Sequence, residues 1–210
     1  MTSFVPVVVG SYLVGSIPFS YIAGKLLKGI DLREHGSGNL GASNTFRNLG
    51  IVPGAVVLLC DIAKGFVPVF VAERLAVGAG LPVHWLLLCA AFAAIIGHMY
   101  SVYLRFSGGK GIATAGGAFL AISPYALLLS VAVWAFVFAA RRIVSLASLT
   151  AALSLPVFVY LVGRWGWWPT HWSYTAVALA VVVVVVLRHQ SNIRRLLAGT
   201  EPALARKKHS

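Results

Sequence analysis

The sequence predicts an all-helical integral membrane protein with seven transmembrane segments, one of them short. Of its 210 residues, 59% are hydrophobic and only 10% are charged, which is too few charges to cover the surface of a soluble domain. The mean hydropathy is +0.87. Basic residues lie mostly beside the apolar runs, as in loops that stay on the cytoplasmic side of a membrane. We expect a single domain, residues 1–210, because no linker-like stretch divides the chain.

The predicted spans are apolar runs separated by polar or aromatic stretches. In chain order they cover residues 4–22, 52–72, 83–96, 113–122, 125–140, 145–162 and 176–187. The fourth run is short for a full crossing, and Ser123 and Pro124 separate it from the fifth. Before the last run, residues 164–172 hold four of the six tryptophans. Such a cluster is typical of the aromatic belt at a membrane–water interface.

Seven spans place the two termini on opposite sides of the membrane. The basic residues that then share one side, together with those of the C-terminal tail, are Lys25, Lys28, Arg33, Arg47, Arg105, Lys110, Arg141, Arg142 and Arg188. Only Arg74 and Arg164 fall on the other side. The positive-inside rule therefore predicts an N-terminus outside and a cytoplasmic C-terminus. Merging residues 113–140 into one span would move Arg188 to the wrong face.

Composition and spacing exclude several function classes. The net charge of +12 could suggest nucleic-acid binding, but the chain lacks a soluble face for a groove-reading element. The five acidic residues are too few for a two-metal carboxylate site, and no Cys/His cluster offers zinc ligands. We therefore expect no metal and no cofactor. Cys60 and Cys89 lie in apolar segments and are interpreted as free thiols. Asp61 and Lys64, three apart in an apolar run, are predicted to form a structural ion pair.

The first of three polar islands covers residues 36–47. Its glycines let backbone N–H groups approach an anion closely. Ser37, Asn39 and Asn44 add side-chain donors, and Arg47 can bind phosphate through two parallel hydrogen bonds. The island therefore indicates an anion-binding loop, with an ordinary polar loop as the alternative.

The second island, residues 107–111, precedes a predicted helix. Gly108 and Gly109 expose backbone amides, and Lys110 adds a positive charge where the helix dipole is also positive. The spacing of a Walker A loop occurs nowhere in the chain. This island therefore predicts a second anion-binding element. His98, upstream of it, is interpreted as a packed residue and not as a ligand or base.

The third island, residues 188–192, follows the last predicted span. His189 and Asn192 are three apart, so on a helix they share one face just below the membrane. Arg194 and Arg195 fit interfacial anchoring as well as ligand binding. A chain with seven spans returns all three islands to one membrane face, which predicts a site there for an anionic substrate.

A weaker polar stretch covers residues 141–148. Arg142 and Ser145 are candidate substrate contacts, and Ser148 shares a helix face with Ser145. The alternative is that the arginines of this stretch simply end the preceding span.

Taken together, these residues resemble the bacterial membrane acyl-phosphate:glycerol-3-phosphate acyltransferases. The family patterns G-S-G-N-x-G-A-[TS]-N-x-x-R, G-H-…-F-x-G-G-K-G-x-A-T and R-H-x-x-N-I-x-R-L-x-x-G occur here in order, and the match runs from the first span to Glu201. Ser43 stands where threonine is usual and keeps the hydroxyl, whereas Ile143 stands where an aromatic is common. The H-x-x-x-x-D motif of other glycerolipid acyltransferases is impossible here, because neither aspartate has a histidine five residues before it.

The resemblance implies transfer of a fatty acyl group from acyl phosphate to the sn-1 hydroxyl of glycerol 3-phosphate. The product is lysophosphatidic acid, an early intermediate of phospholipid biosynthesis. A site on the cytoplasmic face of the bacterial inner membrane is expected, with the two substrates and membrane lipid as partners and no obligate protein partner. A transporter of a phosphorylated solute is the competing interpretation. The lack of an evident inverted repeat and the clustering of donors on one face argue against it.

The resemblance also implies roles for single residues. The groups expected to hold phosphate are Ser37, Arg47, Lys110 and the amides near Gly108 and Gly109. Ser145 and Asn192 are expected to orient glycerol 3-phosphate. His189 is expected to take or steer the hydroxyl proton, because an imidazole titrates near neutral pH. The catalytic candidates are thus Ser37, His189 and Asn192, although the donor phosphate could itself accept the proton.

Overall fold

The computed structural model describes residues 4–80 and 82–203. Within these ranges the regular structure is helical, and the one extended pairing is an isolated bridge between Ser101 and Ser107. This confirms the all-helical prediction. The chain separates after Pro124 into two compact units.

The first unit contains six α-helices among its described residues. They are α1 (Phe4–Ser16), α2 (Phe19–Lys28), α3 (Ala42–Leu49), α4 (Ile51–Ala79), α5 (Val83–Met99) and α6 (Ile112–Ile122), with a short 3-10 helix at Val102–Leu104. The second unit starts in the first turn of α7. Its helices are α7 (Pro124–Arg141), α8 (Val144–Arg164), α9 (Trp172–Arg188) and α10 (Gln190–Leu197).

Four helical segments are long and apolar enough to cross a membrane. They are Phe4–Lys28, Ile51–Gly78, Pro124–Arg141 and Val144–Arg164. The pair α9 and α10, bent by 67°, makes a fifth if it is counted as one span. Helices α5 and α6 are also apolar but have only 17 and 11 residues. By length and composition, the described part of the chain therefore supplies four or five candidate spans.

The first predicted span, residues 4–22, lies within the candidate span Phe4–Lys28, but its helix is interrupted. Helix α1 ends at Ser16 and α2 begins at Phe19. Pro18 has no N–H and disfavours helical geometry at Ile17, which favours a break at this point. The break leaves backbone carbonyls at the end of α1 without partners in their own helix.

Helix α3 lies in a stretch whose composition predicts only a loop. It starts after Gly41, whose backbone is extended, and it buries Asn44 and Thr45. The Thr45 hydroxyl lies 2.8 Å from the Ser20 hydroxyl of α2. Helix α3 therefore packs through polar contacts, and an apolar pattern could not reveal it.

Glycines allow close helix packing in the first unit. A side chain at Gly15 of α1 would collide with the backbone of Ala94 in α5, and one at Gly97 would collide with the backbone of α1. Gly117 of α6 lies in the same way against the carbonyl of Ile62 in α4. Close approach of backbones at small residues is how helices associate in membranes.

In the second unit, α8 packs against α9. Val181 and Val185 of α9 lie four residues apart and are both 1% exposed, whereas Val183 is 59% exposed. One face of the valine run is thus core and the other faces outward.

Candidate functional site

Asn44, near the start of α3, holds the loop that precedes this helix. Its amide nitrogen donates to the carbonyls of Leu32 and His35, each at 3.0 Å. Its Oδ1 accepts from the backbone N–H of Ser37, also at 3.0 Å. The residue is 1% exposed. Both amide hydrogens are therefore used inside the protein, and Asn44 fixes the shape of the first island.

The loop also needs glycine at one position and carries an internal ion pair. Gly36 has a φ of +62°, and a side chain there would collide with the Asn44 amide. The Arg33 guanidinium lies 2.6 Å from the Asp31 carboxylate. Hydrogen bonds from Arg33 hold the pKa of Asp31 below its ordinary value, although burial alone would raise it. The charges of this pair therefore compensate each other within the loop.

The remaining predicted contacts of the first island lie at or near the surface of the first unit. Ser37 and Arg47 are exposed, and Asn39 is half-buried. Arg47 lies in the last turn of α3. Ser37 and Arg47 are thus accessible to a charged molecule that arrives from water.

A tight turn at residues 101–107 leads into Gly108 and Gly109 of the second island, which we call the glycine strip. Arg105 and Phe106 have positive φ values of 53° and 61°, and the Phe106 N–H donates to the Ser101 carbonyl at 2.7 Å. Gly108 lies so close to the carbonyls of His98 and Met99 that a side chain would collide with both. This strip therefore accepts no side chain at its first position.

Gly109 joins the first two islands. Its N–H donates to the His98 carbonyl at 3.0 Å. A side chain at Gly109 would collide with the Leu40 carbonyl and with Nε2 of His98. Gly111 has a φ of +80° and leads into α6, so Lys110, which is half-buried, lies just before the positive end of that helix. The predicted helix start after the Gly-Gly-Lys-Gly turn is confirmed.

A buried charged cluster lies beside this glycine strip. Lys64 Nζ is 2.7 Å from Oδ1 of Asp61, and the two side chains are 4% and 2% exposed. The predicted ion pair is therefore confirmed. His98 Nδ1 lies 3.6 Å from the same carboxylate oxygen. These three residues, together with Gly108 and Gly109, line a small cleft.

In the second unit, Glu201 gathers three side chains. Ser145 Oγ donates to its Oε1 at 2.6 Å, and Asn192 Nδ2 donates to the same oxygen at 2.5 Å. Arg195 Nε donates to Oε2 at 2.6 Å. Ser145 and Asn192 are 7% and 5% exposed. Two of the predicted site residues are therefore fixed on one carboxylate.

His189 lies at the 67° bend between α9 and α10, and it is 2% exposed. Its Nδ1 is 2.8 Å from the Val185 carbonyl. A carbonyl can only accept, so Nδ1 carries a hydrogen and the neutral ring has its lone pair on Nε2. The nitrogen able to take a proton is therefore Nε2.

Arg142 and Ser148 are the remaining residues of the second unit that the sequence analysis considered as substrate contacts. Arg142 is exposed, in the gap between α7 and α8, with a positive φ of 58°. Ser148 is 5% exposed, and its hydroxyl accepts from the Trp134 indole N–H at 3.2 Å. Ser148 thus serves packing between α7 and α8.

Glu201 and His98 were not among the predicted site residues. Glu201 was counted only as one of the five acidic residues, although it is the single acidic residue after Glu73. Glu201 stands alone in a basic segment, and this isolation could have marked it as a candidate residue in the sequence. His98 was interpreted as a packed residue. Its position between Asp61 and the glycine strip could not be predicted from residue spacing along the sequence. Among residues 4–80 and 82–203, no three His, Cys, Asp or Glu side chains group in a way that could hold a metal ion.

Comparisons with known proteins agree on one family. A family model described as "Glycerol-3-phosphate acyltransferase" matches residues 5–199. A glycerol-3-phosphate acyltransferase of Geotalea daltonii is 42% identical over 206 residues, covering 98% of this chain and 100% of the relative. One from Aquifex aeolicus is 41% identical and covers 92% of this chain and 95% of the relative.

Solved structures of similar fold exist for PlsY, described as an integral membrane glycerol 3-phosphate acyltransferase. Its glycerol 3-phosphate form matches with a TM-score of 0.86 and 40% identity, covering 97% of this chain and 96% of that chain. Its lysophosphatidic acid form matches with a TM-score of 0.84 and 39% identity over the same shares. The similarity in sequence and in fold therefore extends over almost the whole chain.

Proposed function

Because this chain belongs to the glycerol-3-phosphate acyltransferase family, an integral membrane family, we propose that acyl phosphate is the donor from which it acylates glycerol 3-phosphate. The acyl group goes to the sn-1 hydroxyl, and the products are lysophosphatidic acid and inorganic phosphate. The observation that carries the proposal is the family match over residues 5–199, which includes all three polar islands. The reaction serves bacterial phospholipid biosynthesis.

The reaction needs little covalent help from the protein. The sn-1 oxygen attacks the acyl carbonyl carbon, the bond from that carbon to the phosphate oxygen breaks, and phosphate leaves with the electron pair. The donor is already activated, so an acyl-enzyme intermediate is not required. The contribution of the protein is to position both reactants and to stabilise the charge that develops in the transition state.

The first unit supplies the phosphate-binding groups. Ser37, Arg47, Lys110 and Asn39 donate from side chains, and the backbone at Gly108 adds to them, because the Gly109 N–H is held by the His98 carbonyl. The exposure of Ser37 and Arg47 and the position of Lys110 before α6 support this assignment. Asn44 contributes by holding the loop, since its amide hydrogens bond to loop carbonyls.

The second unit supplies the groups that orient glycerol 3-phosphate and handle its proton. Ser145 and Asn192 bind the glycerol part, and Glu201 fixes both side chains. Arg142 adds a positive charge for phosphate. His189 accepts the hydroxyl proton on Nε2, and the alternative acceptor is the phosphate of the donor itself.

The membrane arrangement we propose has seven spans, of which the one formed by α6 is short. The N-terminus lies outside and the C-terminal tail lies in the cytoplasm of the bacterium. The distribution of basic residues supports this orientation. Both groups of site residues then act at the cytoplasmic face of the inner membrane, where glycerol 3-phosphate is dissolved.

Incubation of the purified protein in detergent with palmitoyl phosphate and labelled glycerol 3-phosphate tests the activity. We expect labelled lysophosphatidic acid and an equal amount of released phosphate. Arg47→Ala should abolish most product, and Arg74→Ala is the matched control because Arg74 packs over the Phe70 ring, away from the islands. A second arm replaces the donor with palmitoyl-CoA. Product with palmitoyl-CoA and none with palmitoyl phosphate would contradict the proposed donor, and no product with either donor would contradict the proposed reaction.

A further inference from the structure

We propose that Asp61, Lys64 and His98 form a positioning cluster that holds the Gly108–Gly109 strip in its phosphate-binding shape. This inference rests on the proposed function, because it assigns a task to residues that support one of its phosphate-binding elements. None of the three touches substrate in the proposal. They act through the backbone of the strip.

Lys64 ties the charged pair to the break between α1 and α2. Its ammonium lies 2.7 Å from Asp61 and donates to the Ile17 carbonyl at 2.9 Å. That carbonyl is at the Pro18 break, where it has lost the helical partner it would otherwise have. A buried charge in an apolar helix is costly unless it is paired. Here the pair also gives the Ile17 carbonyl a second donor, in addition to the Phe19 N–H at 3.2 Å.

His98 carries the connection from Asp61 to the strip. Its Nδ1 lies 3.6 Å from the Asp61 carboxylate, and its backbone carbonyl accepts from the Gly109 N–H at 3.0 Å. The other edge of the ring lies against Gly109. Its Nε2 is so close that a side chain at Gly109 would collide with it. A single residue therefore contacts both the buried carboxylate and the strip.

A second contact fixes the same corner of the first unit. Ser101, which opens the turn before the strip, donates from its hydroxyl to the Ser16 carbonyl at 2.6 Å. The end of α1 is thus bonded both to Lys64 of α4 and to Ser101, which follows α5. Glycines have no side chains with which to fix their own conformation. The strip must therefore take its shape from this support, and a backbone that binds an anion needs a fixed geometry.

The test compares Michaelis constants of folded variants. In Asp61→Asn/Lys64→Met both charges are removed together, so no unpaired charge is left buried. His98→Phe keeps the ring bulk and removes both nitrogens. We expect the KM for glycerol 3-phosphate or for acyl phosphate to rise at least fivefold, with kcat changed less than threefold. Measuring both constants shows which phosphate the strip binds.

Ser11→Ala is the matched control, because Ser11 is a buried polar residue of α1 whose hydroxyl bonds only within that helix, to Val7. Its KM values should stay within twofold of wild type. A smaller than fivefold rise in both KM values of the folded double variant would overturn the proposal. His98→Phe decides by the same threshold if the double variant gives no folded protein. Loss of product with the wild type would instead count against the proposed function.

Discussion

Glu201 is a single carboxylate that binds three side chains of the second unit. It accepts hydrogen bonds from Ser145, Asn192 and Arg195. Burial alone would raise its pKa, but these donors outweigh burial, and the pKa of Glu201 lies below its ordinary value. The ionised form therefore stabilises the fold. That stabilisation is fully present at pH values above the ordinary pKa of a glutamate, about 4.3. It is lost as the pH falls through the lower pKa that Glu201 has in the folded protein.

Glu201→Gln tests this arrangement, because it keeps the shape and removes the charge. We expect the free energy of unfolding at pH 7 to fall by about 1.5–3 kcal/mol, as for hydrogen bonds to a charged group. The difference in the free energy of unfolding between wild type and variant should shrink as the pH drops below about 4. Thermal unfolding in detergent across this pH range measures both effects. Glu34→Gln, at an exposed position, is the control and should change stability by less than about 0.5 kcal/mol. A gap that widens on acidification would contradict the assignment.

Replacing His189 distinguishes the two proposed acceptors of the hydroxyl proton, which are His189 itself and the phosphate of the donor. Its Nδ1 is held by the Val185 carbonyl, so the ring is oriented before substrate binds. We expect His189→Gln to lower kcat by about 10²-fold or more, as for loss of a general base. His84→Gln, at the start of α5, is the control and should leave kcat within about twofold of wild type. A loss of less than about tenfold with His189→Gln would assign the proton to the donor phosphate.

Among the elements, the strip before α6 offers the sharpest test of phosphate binding. In Gly109→Ala the new methyl group would meet the Leu40 carbonyl and the His98 ring, so the strip must move away from the first island. We expect the KM for a phosphorylated substrate to rise by about tenfold or more, because a displacement of about 1 Å can cost a factor of about 10². Gly10→Ala in α1, where nothing lies near the added methyl group, should leave KM unchanged. An unchanged KM in Gly109→Ala would remove the strip from the site.

The positions of helices could be predicted from the sequence where an apolar run or a glycine turn indicates them. The start of α6 after the glycine turn is one example. The break at Pro18 and helix α3 were not predicted. Apolar residues continue past Pro18, so hydropathy sees one run, and α3 is stabilised by polar contacts such as Ser20 with Thr45. Helix α3 depends on tertiary contacts that no local pattern contains, whereas the break follows from Pro18 itself, which a hydropathy pattern does not register.

For the whole molecule, the sequence identified the residue types of the site better than their partners. The pair Asp61 and Lys64 was predicted because three-residue spacing brings side chains together on a helix. Ser145 and Glu201 are 56 residues apart, and no spacing rule could join them. The polar islands were found because donors are rare in so apolar a chain. Which of those donors serve the fold, as Asn44 does, only the structure could tell.

We propose that Ser37 and the His189 region face the cytoplasm together. Cys60 and Cys89 are first replaced by alanine, and single cysteines are then introduced as Ser37→Cys, Gln190→Cys and Thr170→Cys, all at exposed positions. A membrane-impermeant maleimide is added to spheroplasts. We expect immediate labelling at position 170, and labelling at positions 37 and 190 only after the membrane is permeabilised. Reaction of positions 37 and 190 from opposite sides would contradict the account.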